Sequence, residues 1–351
     1  MKIKSHSGPI RIGINGFGRI GRAVARKLMQ TQEFELVVVN EIESDLFNLE
    51  YLLKFDSVYG RFAGSTKVEA DLLVINEQKV KFFSYSNIRD VPWEDYRIDV
   101  LIEATGVNSN IVSSKYLTES NKVKKIVVTN AHSSVDHTII FGANNDSYMD
   151  TKHSVVSSSI CDANAIVPVL HYLNDSIGIQ SAMITTLHPW LSYQNLLDGP
   201  ISSVSSPGHN WSEYSLGRSS VGNLILKDTT AGEATIRVLP ELQDKIDAIS
   251  FRVPTNNVSA SDFSINLTRN TKLEEVRKVF EAAQQKYPEV IMLNHESLVS
   301  SDFTGMSQSC IIDIDKMKLL DGRFLKMVSW YDNEWAYGSR VLDVAQLVSG
   351  K

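Results

Sequence analysis

The segment IRIGINGFGRIGR, residues 10 to 22, limits the possible folds more than any other part of the chain. Residues 10 to 15 alternate apolar and polar side chains, the period-two pattern of a strand. Ile20, Val24 and Leu28 follow at helical spacing, and FELVVVN (34 to 40) reads as a second, β-branched strand. A strand, helix and strand within about 30 residues is the size of a βαβ crossover. Between the first strand and the helix lies G-x-G-x-x-G at Gly16, Gly18 and Gly21. Alone that pattern is weak; after a strand and at the mouth of a helix it is a dinucleotide-binding signature. Gly16 permits the tight turn, Gly18 lets a pyrophosphate approach the backbone, and Gly21 lets helix pack on strand. The helix N-terminus then faces the phosphates with its partial positive charge. Glu41 ends the second strand, where a carboxylate accepts hydrogen bonds from the adenine ribose and repels a 2′-phosphate. The expected cofactor is therefore NAD rather than NADP.

Further apolar runs, near 68 to 75, at 99 to 106 (DVLIEATG) and at 124 to 131 (KKIVVTNA), alternate with helical stretches and predict a doubly wound parallel sheet. After about residue 160 the pattern changes. Residues 162 to 178 read as a helix and 181 to 190 as a strand, followed by a Gly/Ser/Pro-rich loop over 199 to 220. AISFRV and SASDFSINL predict antiparallel strands, and Thr271 with Glu274 predicts a capping box for the helix that follows. The C-terminal segment EWAYGSRVLDVAQLVS predicts a helix with Tyr337, Val341, Val344 and Val348 on one face. The expected fold class is α/β: a Rossmann-type parallel sheet plus an α+β catalytic domain with a mixed or antiparallel sheet. The domains expected are 1–160 completed by 333–351, and 161–332.

A net charge of −6 over 351 residues argues against a broad nucleic-acid surface, which needs a basic stripe. Two cysteines, 149 positions apart, give neither zinc spacing nor a disulfide framework, so no metal site is expected. No apolar run approaches the roughly 18 residues of a membrane span. The N-terminal segment shows no signal-peptide core, and the cytoplasm is the expected compartment.

SSSICDAN, residues 157 to 164, puts Cys161 at the start of a predicted helix. That position favours the thiolate, the reactive form of cysteine. His188 ends the strand 181 to 188, on the face of Ala182, Ile184 and Thr186, where a side chain can reach a cleft. Together they would make an activated nucleophile with its base. By spacing alone, a buried spectator cysteine is an equally open reading.

INGFGRIGR (14 to 22), LLKFDSVYGRF (52 to 62), EATG (103 to 106), SSSICDAN, VLPEL (238 to 242), FRVPTNNVS (251 to 259), LVSSDF (298 to 303) and SWYDNEWAYGSRVLD (329 to 343) occur in this order along the chain. In that order the chain resembles the phosphorylating glyceraldehyde-3-phosphate dehydrogenases, and shares most of the motifs with the related erythrose-4-phosphate dehydrogenases. The resemblance covers nearly the whole chain. It implies an NAD-binding Rossmann domain, a catalytic domain, a C-terminal helix returning to the first domain, and a homotetramer. It implies Cys161 as nucleophile and His188 as base. Arg19 and Ile20 would line the pyrophosphate, Thr105 would lie at the cofactor, Thr129 and Asn333 would flank the nicotinamide, and Tyr337 would pack near the same ring. The implied reaction oxidises a phosphorylated aldehyde through a cysteine thioester, released to inorganic phosphate or to water. A third reading is an NAD-binding paralogue without turnover.

The chain departs from the family pattern at the phosphate sites. Where the family has two threonines after the nucleophile, Asp162 and Ala163 stand. Asp162 would repel an attacking phosphate and oppose thiolate formation, unless it turns away or pairs with a cation. Leu191 and Tyr193 occupy positions where polar residues would hold the substrate's phosphate, and Thr230 replaces a glycine after Thr229. Arg252 is kept, and Arg218 is a candidate compensating cation.

Overall fold

The computed structural model describes residues 8–200 and 213–351. The chain divides into two compact units, Met1–Ile160 with Tyr337–Lys351, and Cys161–Ala336. The helix Trp335–Ser349 is itself shared between them.

The first unit is built on a nine-stranded sheet. Its centre is parallel: Ile10–Asn15 lies between Phe34–Asn40 on one side and Val100–Glu103 on the other, with Lys125–Val128 next beyond. In these strands Ile12, Ile14, Leu36, Val38, Val100, Ile102, Ile126 and Val128 are fully buried. Both faces are covered, which explains the consecutive buried residues Leu36 to Val39, Val100 to Ile102 and Ile126 to Val128. From the first strand the chain turns to one side for Phe34–Asn40 and later to the other for Val100–Glu103. That reversal opens a crevice at the carboxyl ends of the strands, the usual ligand position in such sheets. The run read near 68 to 75 is not a single parallel strand. It is the antiparallel pair Thr66–Glu69 and Leu72–Ile75, joined through Ala70 at φ 55° and extended by Gln78–Phe83. A short turn with a left-handed residue lies between Val68 and Leu72 without a glycine or proline to mark it, so periodicity alone merges the two strands.

The second unit has an eight-stranded mixed sheet in the order Ile225–Asp228, Ile246–Val253, Ile179–Pro189, Ser259–Leu267, Phe324–Tyr331, Cys310–Asp313 and Ile291–Asn294, with Lys318–Leu320 paired to Phe324–Tyr331. Ile246–Val253 was expected to be antiparallel. It runs parallel to Ile179–Pro189, and its only antiparallel neighbour is Ile225–Asp228. Parallel and antiparallel strands share one alternating pattern, so the direction is set by the connections. Along Ile179–Pro189, Ala182, Ile184, Thr186 and His188 point inward, while Met183 and Leu187 point outward. The helix Cys161–Ser176 packs against this sheet. The expected capping box at Thr271 and Glu274 is absent. The helix Leu273–Lys286 starts from Lys272, and the Thr271 hydroxyl bonds the Glu275 carboxylate at 2.5 Å. One residue of displacement moves the carboxylate partner from Glu274 to Glu275, which also pairs with Arg269.

Candidate active site

The glycine turn has the geometry its spacing predicts. Gly16 has φ +96°, and a Cβ there would meet the backbone of Ala104 and Thr105 at 2.7 Å. A Cβ on Gly21 would fall 2.1 Å from the Gly16 carbonyl oxygen. At Gly18 a Cβ would meet nothing within 4 Å. Gly16 and Gly21 are thus required by the protein's own packing, whereas Gly18 faces open space. Gly18 also begins the helix Arg19–Leu28 without a side-chain cap. A carboxylate accepts where the ribose is expected: Glu41 Oε2 takes the Phe17 N–H at 2.6 Å, and Oε1 the Ile42 N–H at 2.8 Å. The Arg19 guanidinium is held by Asp56 at 2.5 Å, so its side chain belongs to the neighbouring loop.

Beneath the turn, three strands end on buried polar residues. Asn40 Nδ2 donates to Asn15 Oδ1 at 2.7 Å, and Asn15 Nδ2 donates to Glu103 Oε2 at 2.5 Å. Glu103 also accepts from the backbone N–H and hydroxyl of Thr105. Burial pushes the Glu103 carboxyl up to about 7 despite these bonds. Thr129 donates its N–H to the Glu103 carbonyl at 3.0 Å. Asn15, Asn40 and Glu103 were not singled out from sequence, although each is a polar residue closing an apolar run. The residues fit a dinucleotide: a turn open at Gly18, a helix start without a side-chain cap and a fixed acidic rim. Glu41→Ala should raise the Kd for NAD and leave that for NADP unchanged or lower. Equilibrium titration of both cofactors checks this; equal loss for the two would contradict the role of the carboxylate.

In the second unit, Cys161 is the first residue of its helix and His188 the penultimate residue of its strand. Before the helix the backbone passes through Ser159 at φ 60°, a left-handed residue that turns strand Val155–Ser157 sharply into the helix. Cys161 Sγ lies 3.6 Å from His188 Nε2. His188 Nδ1 donates to the Pro189 carbonyl at 2.8 Å, which leaves Nε2 unprotonated and aimed at the sulfur. Burial, then Arg252, lowers the His188 pKa to about 4, so the ring is neutral near pH 7.

Asp162 does not turn away. Its carboxylate is buried and accepts the Tyr331 hydroxyl at 2.7 Å. The thiol donates to the same oxygen, Oδ1, at 3.5 Å, and that oxygen is 3.9 Å from His188 Nε2. Two acceptors thus compete for one S–H proton. The expectation of a thiolate favoured by the helix N-terminus is overturned: burial raises the Cys161 pKa well above the usual cysteine value, and the Asp162 charge raises it further. The helix end supplies only a partial charge, which a whole charge beside the sulfur outweighs. Tyr331 was missed from sequence; it sits in the same strand register as other buried residues, and only tertiary packing aims its hydroxyl at Asp162.

Arg252 pairs across the sheet with His188 and is buried. Its Nη1 donates to Ser250 Oγ and its Nη2 to the Tyr193 hydroxyl, each at 3.3 Å, while Nε–H has no partner among the described residues. Arg218 is not the compensating cation: it is exposed and pairs with Asp198 at 2.9 Å. The cation in electrostatic reach of Arg252, His188 and Asp162 is Lys227, whose pKa burial and then Arg252 lower. The Thr229 hydroxyl accepts the Ala231 N–H at 3.2 Å just before the short helix Ala231–Ile236, and Thr230 is exposed. Leu191 is half-buried in the turn after Pro189, where its N–H donates to the Gln194 side chain. Asn333 is buried, and its Oδ1 has no partner among the described residues. The Tyr337 hydroxyl donates to the Ser159 carbonyl at 2.7 Å. Residues 201–212 of the Gly/Ser/Pro-rich loop lie outside the described residues.

Two family models match the chain. Residues 10–111 match the glyceraldehyde 3-phosphate dehydrogenase NAD binding domain, and residues 160–333 match the C-terminal domain of the same enzyme. Curated relatives match end to end. Glyceraldehyde-3-phosphate dehydrogenase 2 of Saccharomyces cerevisiae is 35% identical over 97% of this chain and 99% of its own length. Glyceraldehyde-3-phosphate dehydrogenase 2 of Streptomyces avermitilis is 33% identical over 97% and 99%. The cytosolic glyceraldehyde-3-phosphate dehydrogenase of Chlamydomonas reinhardtii is 34% identical over 98% of each. The chain belongs to the glyceraldehyde-3-phosphate dehydrogenase family. It carries that family's NAD-binding domain and is an NAD-dependent oxidoreductase acting on an aldehyde. No helix among the described residues is long and apolar enough to cross a membrane.

Proposed function

We propose that the protein oxidises glyceraldehyde 3-phosphate through a thioester on Cys161, with His188 as general base and phosphate as acyl acceptor. One observation carries the reading: a neutral imidazole nitrogen 3.6 Å from the only thiol beside a helix N-terminus. Cys161 attacks the aldehyde carbon while its proton passes to His188 Nε2, so a neutral pair reacts and no standing thiolate is required. The imidazolium returns that proton to the alkoxide, giving the thiohemiacetal hydroxyl, and the neutral ring then takes it back as hydride leaves the carbon. NAD would supply the hydride acceptor; Gly18, the N-terminus of the helix Arg19–Leu28 and Glu41 would hold it. Arg252, with its unpartnered Nε–H, and Lys227 supply the positive charge that a phosphorylated substrate needs. The cytoplasm fits a chain of this kind. A homotetramer accords with the outward face of the second sheet, where Met183, Leu187, Leu226 and Ile249 stand exposed.

A second reading, in which water takes the acyl group, is favoured by Asp162. Its carboxylate faces the sulfur at 3.5 Å, where it opposes an incoming phosphate dianion and can accept a proton from water. Pre-steady-state NADH formation separates the two. Wild type should give a burst, then turnover that requires phosphate; turnover without phosphate would establish water as the acceptor. Asp162→Asn should speed alkylation of Cys161 by at least about tenfold, because a like charge is removed. In the same variant turnover should shift toward phosphate dependence. Absence of any burst with phosphorylated aldehydes would overturn both readings.

A further inference from the structure

We propose that Cys161, Asp162 and His188 form a three-ligand site for a zinc-class dication, and that its occupation blocks the nucleophile. The proposal is independent of the choice of acyl acceptor. Sequence spacing gives no zinc motif, because the third ligand comes from the end of a strand 27 positions after the cysteine. The fold brings one sulfur, one imidazole nitrogen and one carboxylate oxygen within 4.8 Å of one another.

The separations match a tetrahedral ion. With Zn–S about 2.3 Å and Zn–N and Zn–O about 2.1 Å, tetrahedral angles put sulfur about 3.6 Å from either partner and the nitrogen about 3.4 Å from the oxygen. Here Sγ is 3.6 Å from Nε2 and 3.5 Å from Asp162 Oδ1, and Nε2 is 3.9 Å from Oδ1. Only the last needs to close, by a few tenths of an ångström. Supporting contacts of the kind metal ligands use are in place. The Nδ1–H bond to the Pro189 carbonyl fixes the tautomer that offers Nε2, and the Tyr331 hydroxyl orients the carboxylate. Thiolate and carboxylate together balance a dication. Binding replaces the S–H bond with an S–metal bond and releases one proton to solvent, with no redox change. Three protein ligands leave a fourth position open for water or a carbonyl oxygen. Where relatives of the usual pattern have threonine after the nucleophile, this third ligand is lost, so the site is a property of Asp162.

The test uses the full chain after EDTA treatment, titrated with Zn²⁺ and separately with Co²⁺. One equivalent should bind with release of about one proton, and Co²⁺ should show intense visible bands and a sulfur charge-transfer band in the near ultraviolet. Alkylation of Cys161 and aldehyde-dependent NADH formation should be lost together and return with EDTA. Asp162→Asn and Asp162→Thr should each weaken Zn²⁺ binding at least tenfold, and Cys161→Ser should remove the charge-transfer band. Folding of each variant is checked by NAD titration. Zn²⁺ affinity unchanged in both Asp162 variants, or cobalt spectra unchanged in Cys161→Ser, would overturn the site. The second of these would make Cys310, the other thiol of the chain, the sulfur ligand instead. The metal spectra do not depend on turnover, so a protein inactive on every aldehyde still answers this question.

Discussion

Cys161→Ala should reduce aldehyde-dependent NADH formation below detection, a loss on the order of 10⁵–10⁶, as found when a covalent nucleophile is removed elsewhere. His188→Asn should lose about 10²–10⁴ in kcat/KM, the range that a positioned base supplies. The two losses should not add, because both act on one step. Neither change should alter NAD affinity more than about twofold, a limit set by additivity for independent sites. The pH profile is the sharper readout. With the His188 pKa at about 4 rather than 6.5, its protonation should not limit kcat/KM until pH approaches 4. Stability carries the same mark. Between pH 6.5 and 4 the unfolded chain binds a proton at this position and the native chain does not. Stability therefore falls as the medium is acidified through that window, by about 3 kcal/mol at roughly 1.4 kcal/mol per unit. Urea unfolding at several pH values should show this slope in wild type and its loss in His188→Asn. An acid limb near 6.5 in wild type would contradict the buried, neutral base.

The second large effect belongs to the glycine turn. Gly21→Ala would put a methyl group 2.1 Å from the Gly16 carbonyl oxygen, so the helix Arg19–Leu28 must back away from the turn. Overpacking of this kind costs about 1–3 kcal/mol, and here it also dislocates the N–H groups expected to hold phosphate. NAD affinity should fall at least about a hundredfold, and the unfolding midpoint should drop with it. Gly18→Ala supplies the contrast. Its methyl group meets no protein atom within 4 Å, and φ −68° suits alanine. Unfolding should stay within about 0.5 kcal/mol of wild type. NAD binding should nonetheless fall, because the added methyl occupies space meant for the pyrophosphate. If Gly18→Ala binds NAD normally, the open face of the turn is not the phosphate site.

Much of this architecture was written in short-range patterns. The glycine turn, the crossover after it, the acidic residue ending the second strand, and the helix and strand that carry Cys161 and His188 all rest on local rules. Strand direction and hairpin connections did not. Ile246–Val253 alternates in the same way whether its neighbour runs with it or against it, and Ala70 turns the chain between Val68 and Leu72 without a glycine or proline to mark it. The chemistry of the thiol was legible in part, because Asp162 next to it opposes a thiolate, but its burial was not. A helix N-terminus predicts a reactive thiolate, but burial and an adjacent carboxylate decide otherwise.

Residue type and spacing along the chain alone determined which groups were available: three glycines, one acid at the ribose position, one cysteine before a helix, one histidine closing a strand, and one aspartate out of pattern. Tertiary structure decided what they do to each other. It aimed Asp162 at the sulfur through the Tyr331 hydroxyl, took Arg218 out of the site and put Lys227 in its place, and set the charge state of both members of the reacting pair. The reason is physical. Electrostatic energies depend on distance and on exclusion of water, and neither is encoded by sequence neighbours when the partners lie 27 and 169 positions apart.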